Sequence, residues 1–563
     1  MPSANPSLEN ALTQFSNQPG VTPQQVAQLR VAIVGNDALL TSFNADAAGG
    51  HLTGFDVAPP GAASIGRYDV SSKTIVLPAE VFTGGPPANS DLRAVLRLQD
   101  MGLRFSQLPG VSIDMHENLQ KTINGAPVLV DQFKNAVRSD QPSGRELQSF
   151  KLHVQGVAGG SYSPIDRSMN LVPASLSTGG FDRYNMTFVL GHEMEHGFNR
   201  AGTARARETF VAGLKAIASD ANPINDFTAP SLTMMGVHRK NEAEAHIAGW
   251  NAMLSYEKAS TGNPNVSLQD MWNHASRGRV ADFLELDANN RAVARPGIAF
   301  NADGTLPSTS ANVGALGRYY FDQAPVGTPG VAAQDTMNLG PHGRSDYANL
   351  YGAGVVSLGI WAERNFGVPK HANASQMHLN MQRLGFNETL LEENGISIAP
   401  LASQVYRDTS TNPPTVGRFD HTSDGPNKNR HIPVDASRAE ALAADRDSRL
   451  ETLDQLSPQS RGLFDRIRAD VPAQFPNDVV AHALSASKLA GIDSAEKVAV
   501  VGMAGDKLFV GGQVPGHHAV VDVSQPPPSL HESVQKVQSL DEKQLLDAQQ
   551  EKSQQRSQGG PSM

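Results

Sequence analysis

Two histidines four residues apart, with a glutamate directly after the first, occur in MTFVLGHEMEHGFNR (Met186–Arg200), and this spacing constrains the rest of the chain more than any other feature. In a helix, His192 and His196 lie one turn apart on one face, where both rings can reach a single metal ion. At about 100° per residue, Leu190, Met194 and Phe198 fall on the opposite side, with Met186 toward its flank. That side suits a core, and the histidine side suits Zn²⁺. Phe188 and Val189 lie nearer the histidines, so the helix is expected to be buried on most sides. Two imidazoles and a third protein ligand leave one zinc position for water, whose pKa the metal lowers to about 7. A carboxylate beside that water takes its proton as it attacks a polarised carbonyl. Glu193 and Glu195 stand almost symmetrically about the histidine face, and the helical wheel does not choose between them. The geometry of the H-E-x-x-H motif chooses Glu193 as the base.

The third ligand must come from elsewhere. A helix is expected over Arg239–Ala259, with Ala243, Ile247, Trp250 and Leu254 on its apolar side. Its start, RKNEAEAHIAGW, offers Glu242 and Glu244, which are two residues apart and point to opposite sides, so at most one binds. Over roughly Gly160–Trp250 the chain resembles the gluzincin peptidases, in particular the CAAX-processing membrane group, whose third ligand heads an E-x-x-A-D helix. Glu242, Ala245 and His246 occupy those places here. The resemblance implies a zincin-like core with His192, His196 and Glu242 as metal ligands. The small Ala245 and Gly249 would let this helix approach the zinc helix closely. The family's aspartate orients a ligand from behind; at His246 the chain departs from the pattern, and that residue either takes over the orienting role or competes for metal. A donor to the developing oxyanion is also needed. His342, Arg344, Tyr347 and Tyr351 cluster in GPHGRSDYANLY (Gly340–Tyr351), with His342 and Tyr347 the leading catalytic candidates; the same cluster also suits a loop whose tyrosines pack on a core.

Composition narrows the function classes. The formal net charge is −10 and no basic stripe with interleaved aromatics occurs, which argues against nucleic acid as a partner. Cysteine is absent, so no disulfide scaffold or thiolate nucleophile exists, and the chain is indifferent to redox compartment. No apolar run reaches the roughly 18 residues of a membrane span, so the chain is expected not to span a membrane. The start, MPSANPSLENALTQFS, lacks the basic and apolar regions of a secretory signal, so export would use another address.

Along the chain, a helix is expected near Thr22–Val34. Gly66–Pro78 and Gly160–Pro173 each read as a β-hairpin with a Gly-x-Tyr opening, a polar turn and an apolar strand ending in proline. The first is either a remnant of duplication or an ordinary hairpin. The second precedes the zinc helix, where zinc peptidases commonly place a strand whose edge pairs with an extended substrate. Asp91–Val137 reads as a helical insertion and Arg205–Ser219 as a helix ended by Asp-Ala-Asn-Pro. Residues 260–340 are rich in turn formers. Arg407–Asp435 has little apolar periodicity and reads as a disordered linker.

Beyond it, Arg438–Leu456 and a segment from Ser457 and Pro458 to Arg468 are expected as helices, followed by an amphipathic helix at Asp478–Ala490. Lys497–Val501 and Lys507–Val510 could pair across GMAGD. DVVAHALSASKLAGI, VAVVGMAGDKLFVGG, VPGHHAVVDVSQ and the Gln-rich end together resemble the C-terminal recruitment domain of Xanthomonadales-type type IV secretion effectors. What this implies is a handle read by the coupling ATPase of the secretion channel, with a cognate immunity protein as a further partner.

The expected fold is α+β: a zincin-like metallopeptidase core with helical insertions, a small C-terminal α+β secretion domain and a disordered tail. The boundaries are residues 1–100, an N-terminal region with a hairpin; 101–405, the metallopeptidase-like domain; 406–437, the linker; 438–530, the recruitment domain; and 531–563, the Gln-rich tail. The expected function is that of an antibacterial effector, made in the cytoplasm and secreted into target bacteria, with the periplasm as the site of action. It would hydrolyse amide bonds of a protein or of cell-wall peptides. The alternative is a secreted binding protein whose metal site is structural or vestigial, and a closed four-ligand site would favour it.

Overall fold

The structure is a computed structural model. It describes residues 3–61, 64–82, 90–153, 159–367, 377–396, 398, 403–420, 422, 452–472, 475–514, 516–525 and 527–542. The chain is mixed α+β, 54% helix and 15% strand, with the strands divided among several small sheets. No helix among the described residues is long and apolar enough to cross a membrane. Two compact units are present, Met1–Ala206 with Gly236–Thr336, and Arg207–Met235 with Met337–Met563.

The first unit opens with α1 (Pro6–Ser16), α2 (Pro23–Val34) and α3 (Asp37–Ala48), then β1 (Gly54–Val57), β2 (Arg67–Asp69) and β3 (Thr74–Leu77). The same order then recurs as α4 (Ser90–Ser106), α5 (Ile113–Gly125), α6 (Pro127–Val137), β4 (Ser149–Leu152), β5 (Gly160–Ser163) and β6 (Ser168–Leu171). Both hairpins form as expected, and each gains a third strand. β1 runs parallel to β3 with β2 antiparallel on its other side, and β4, β6 and β5 repeat that arrangement. The turn residues Lys73 and Arg167 share a left-handed conformation, with φ of 54° and 51°. Gly20 and Gly110, at φ 86° and 88°, enter the second helix of each set. They sit in matching stretches, FSNQPGVT (15–22) and FSQLPGVS (105–112), whose last residues, Thr22 and Ser112, cap α2 and α5. Phe15, Leu29, Ile33 and Phe43 are buried in one core, and Phe105, Leu119, Ile123 and Phe133 in the next.

The first hairpin is therefore part of a duplicated module. The helices of Asp91–Val137 are its second copy and not an insertion. The boundary expected at residue 100 falls inside α4, which closes one copy and opens the other.

A single turn α7 (Pro173–Leu176) leads into α8 (Arg183–Ser219), which carries the motif. α8 is one helix where two were expected, because nothing between Arg200 and Arg205 breaks it. It ends at the expected Asp220–Pro223 breaker. Met186, Leu190 and Met194 are fully buried against the second copy's core, each contributing about 1.5–3 kcal/mol. Phe188 enters a second core with Ala243, Ile247, Trp250 and Leu254 of α9 (Thr228–Thr261). α8 is thus buried on two sides, as its residues required. Phe198 is the exception: it is 36% exposed, one turn past the point where the core ends. Short helices α10 (Leu268–His274), α11 (Arg277–Val280) and α12 (Ser310–Leu316) follow within the turn-rich segment.

In the second unit, α13 (Tyr347–Phe366) starts at an Asp346 cap. A four-stranded sheet has the order Thr415–Asp420, Ser403–Asp408, Met377–Leu379, Asn225–Asp226. Its first two strands correct the linker reading: Arg407–Asp420 begins as an antiparallel hairpin, held by Val405, Tyr406 and Phe419 in the core, and its turn supplied the polar, proline-rich appearance. Most of residues 421–451, including the expected helix from Arg438, lies outside the described residues, as does the Gln-rich end from 543.

Residues 453–537 share a separate core. Helices Pro458–Asp470, capped by Ser457, and Asn477–Leu489 form as expected. Strands Val498–Ala504 and Lys507–Gly512 pair across the Gly-containing turn, and His518–Asp522 adds a third strand. Residues 530–542 are helical. The buried Lys488 pairs with Asp541, which also accepts from Ser457 at 2.7 Å and Ser460 at 2.8 Å, fixing the last helix to this core.

Candidate metal centre

α8 and α9 meet through small residues. A Cβ on Gly191 would lie 2.8 Å from Ala252 Cβ and 3.0 Å from the Ala248 carbonyl oxygen, and one on Gly249 would lie 2.8 Å from the Phe188 ring. Only glycine permits this approach. It brings the middle of α9, which carries Glu242, against the histidine face of α8.

At that crossing His192 Nε2 and His196 Nε2 are 3.2 Å apart. The Glu242 carboxylate lies 3.4 Å from the first and 3.6 Å from the second. Tetrahedral zinc with bonds of about 2.0–2.1 Å requires ligand atoms roughly 3.3 Å apart. The three residues therefore fit a zinc ion. His192, Glu193 and His196 also offer ligand atoms within 4.8 Å of one another, which makes Glu193 a fourth donor in reach. Glu242 is 3% exposed, whereas Glu244 faces away toward Lys240 at 3.5 Å and Asn199 at 3.5 Å. Of the two glutamates that the sequence offered, Glu242 is the one placed beside the histidines.

Burial holds His192 down at about 3, which keeps its imidazole neutral and available to a metal. Burial also works against charge on His196, but the Glu242 and Glu193 carboxylates outweigh it and leave that residue raised. Glu193 is raised to about 7, chiefly by burial, with opposing pulls from His196, the Tyr162 backbone N–H and Arg279. A cation beside it would pull it back toward the carboxylate form. The Tyr162 N–H comes from β5, so the hairpin expected to precede the motif helix does reach the candidate base.

Several contributors were not legible in the sequence. Asn241 lies beside His196, its amide nitrogen 2.9 Å from Nδ1, while its own oxygen is buried with no hydrogen-bond partner among the described residues. Turning the amide over gives His196 Nδ1–H an acceptor, the arrangement a metal-bound histidine needs. His246 does not join the donor set. Its Nε2 is 2.9 Å from Asp282, and its ring stacks between Tyr320 at 3.8 Å and Phe283 at 4.9 Å. Tyr320, in the turn Gly317–Phe321, also stands edge-on to His192 at 6.1 Å. Glu195 is half-buried on the flank of α8. α4, which follows the first hairpin as α8 follows the second, carries no H-E-x-x-H spacing.

No family model, curated protein or solved structure matches this chain. His342 and Tyr347 lie in the second unit, His342 half-buried in the turn before α13 and Tyr347 buried at its first position, stacked on Tyr351 at 6.0 Å. The structure brings together His192, Glu193, His196 and Glu242.

Proposed function

We propose that the chain is a zinc-dependent amide hydrolase of gluzincin type, carried by its C-terminal domain through a type IV secretion channel into competing bacteria. The observation that carries the hydrolase reading is the triangle of His192 Nε2, His196 Nε2 and Glu242, at 3.2 to 3.6 Å, with Glu193 beside it. Zinc, when bound by these three residues, would polarise a carbonyl and acidify water. Glu193 takes the proton from the attacking water and passes it to the leaving amine. Burial and the Tyr162 N–H hold its carboxyl in place for both transfers. Asn241 fixes the orientation of His196. Tyr320, in the same unit and with its ring 6.1 Å from that of His192, serves as the donor to the developing oxyanion in place of the expected His342 and Tyr347.

The binding-protein alternative calls for a closed four-ligand site; His246 is engaged with Asp282, which leaves Glu193 as the donor in reach that would close it. Amide bonds in proteins or in wall peptides of the target cell are the substrate class. The coupling ATPase and a cognate immunity protein are proposed as partners on the C-terminal resemblance alone; the segment that carries it has its own core, residues 453–537.

The test replaces Glu193 by Gln in the full chain. Zinc content is expected to stay at one per chain, while toxicity in the periplasm of a sensitive bacterium and peptide hydrolysis fall by about 10² to 10⁴. Zinc-free wild type after chelator-free purification, or full activity in the Gln variant, contradicts the reading.

A further inference from the structure

One charged side chain beside the centre has no role in holding it. Arg279, in α11, lays its guanidinium 4.8 Å over the Phe188 ring, and Phe188 in turn stands 6.0 Å from the His192 ring. Its Nε donates to Asn185 Oδ1 at 2.8 Å. Its two terminal nitrogens meet no carboxylate among the described residues, in a chain of net charge −10. The side chain is nonetheless held firmly. Ser276, which starts α11, hydrogen-bonds Asp182, and Asp182 accepts from the Asn185 backbone at 3.1 Å, so α11 is tied to the start of α8 at two points. Asn185 also lies beside Gly159, at the entry of edge strand β5, where an added Cβ would sit 3.8 Å from the amide. Glu193 and His246 both feel the Arg279 charge, yet neither makes a hydrogen bond to it.

We propose that Arg279 is a specificity residue which binds a substrate carboxylate one or two residues beyond the scissile bond. The inference rests on the hydrolase reading. A donor to the oxyanion must come within about 3 Å of the reacting carbonyl. Arg279 instead stands behind Phe188, a step removed from His192, and each residue of extended chain spans about 3.3–3.6 Å. A guanidinium whose Nε is already anchored presents its remaining edge as a fork suited to a planar carboxylate. The carboxylate is either the substrate's own C-terminus or an acidic side chain.

The experiment measures binding to the full-length, zinc-loaded protein by calorimetry. The probes are thiols that ligate zinc: 3-mercaptopropanoyl-alanine with its alaninamide, and 3-mercaptopropanoyl-glutamyl-alaninamide with its glutaminyl counterpart. In wild type at least one acid is expected to bind about tenfold tighter than its neutral partner, or more. In Arg279→Gln that ratio falls to about one, and Arg279→Lys retains part of it, with zinc content unchanged in both. A preference confined to the first pair assigns the carboxylate to a chain terminus, and one confined to the second assigns it to an acidic side chain. Equal binding of acid and neutral probes in wild type, or a ratio unchanged by Arg279→Gln, overturns the inference while the zinc site stands. If none of the thiols binds, the hydrolase reading falls and takes the inference with it.

Discussion

Gly191 is the position at which the fold and the candidate site can be tested by one methyl group. Alanine there would place its Cβ 2.8 Å from Ala252 Cβ and 3.0 Å from the Ala248 carbonyl oxygen, where contacts of about 3.5–4.0 Å are normal. Both obstacles belong to α9 and neither is a flexible side-chain end, so relief requires the helices to separate. Overpacking of this kind costs about 1–3 kcal/mol. The intrinsic helix preference of Ala over Gly returns about 1 kcal/mol. The net destabilisation is therefore up to about 2 kcal/mol. Because α9 also carries Glu242, the same displacement draws the carboxylate away from the histidines, and zinc affinity is expected to drop about tenfold. Gly202 on the same helix provides the control, since nothing lies within 4 Å of its Cβ position. Gly202→Ala should stabilise by up to about 1 kcal/mol and leave zinc binding unchanged. Stability is read by urea unfolding of the zinc-loaded protein, and affinity by competition with a chromogenic chelator. If Gly191→Ala matches Gly202→Ala in both assays, the close crossing is not what positions Glu242.

Glu242→Ala should lose most of the zinc and Glu244→Ala retain it, measured by metal analysis after gel filtration; the reverse order would transfer the ligand role to Glu244. His116 is buried against the Tyr68 ring, and burial depresses it from 6.5 to about 4. The unfolded chain therefore takes up the proton first as pH falls. The stability that His116 contributes is complete above about pH 6.5, declines toward pH 4 and totals on the order of 3 kcal/mol. His116→Gln should flatten unfolding curves across that window, and an unchanged slope would show that the group is not titrating there. Deleting the chain from about Arg438 should leave a zinc-bound protein that is no longer delivered, because residues 453–537 have their own core; killing undiminished by the deletion would refute the delivery role.

The H-E-x-x-H spacing, its apolar back and the helical stretch Arg239–Ala259 were legible because helical periodicity is local: residues three and four apart meet whatever surrounds them, although α9 itself starts earlier, at Thr228. For the same reason both hairpins, the helix near Thr22–Val34, the helix starting at Ser457 and Pro458 and the paired strands near Gly505 could be read directly. The duplicated stretch from Phe15 was equally present in the sequence, and the hairpins alone were too short to expose it. Where local signals compete with distant partners, reading failed. Arg407–Asp420 looked like linker because its turn is polar, yet Val405, Tyr406 and Phe419 give it a place in a sheet. Spacing alone did not separate Glu242 from Glu244, and only the family resemblance favoured Glu242; the crossing of α9 on α8 is what places Glu242 beside the histidines, and it is the missing side chains of Gly191 and Gly249 that permit that crossing. Asn241, Tyr320, Asp282 and Arg279 carry no motif. Their positions around His192 and His196 arise from packing between segments far apart in the chain, and only the tertiary structure could decide them.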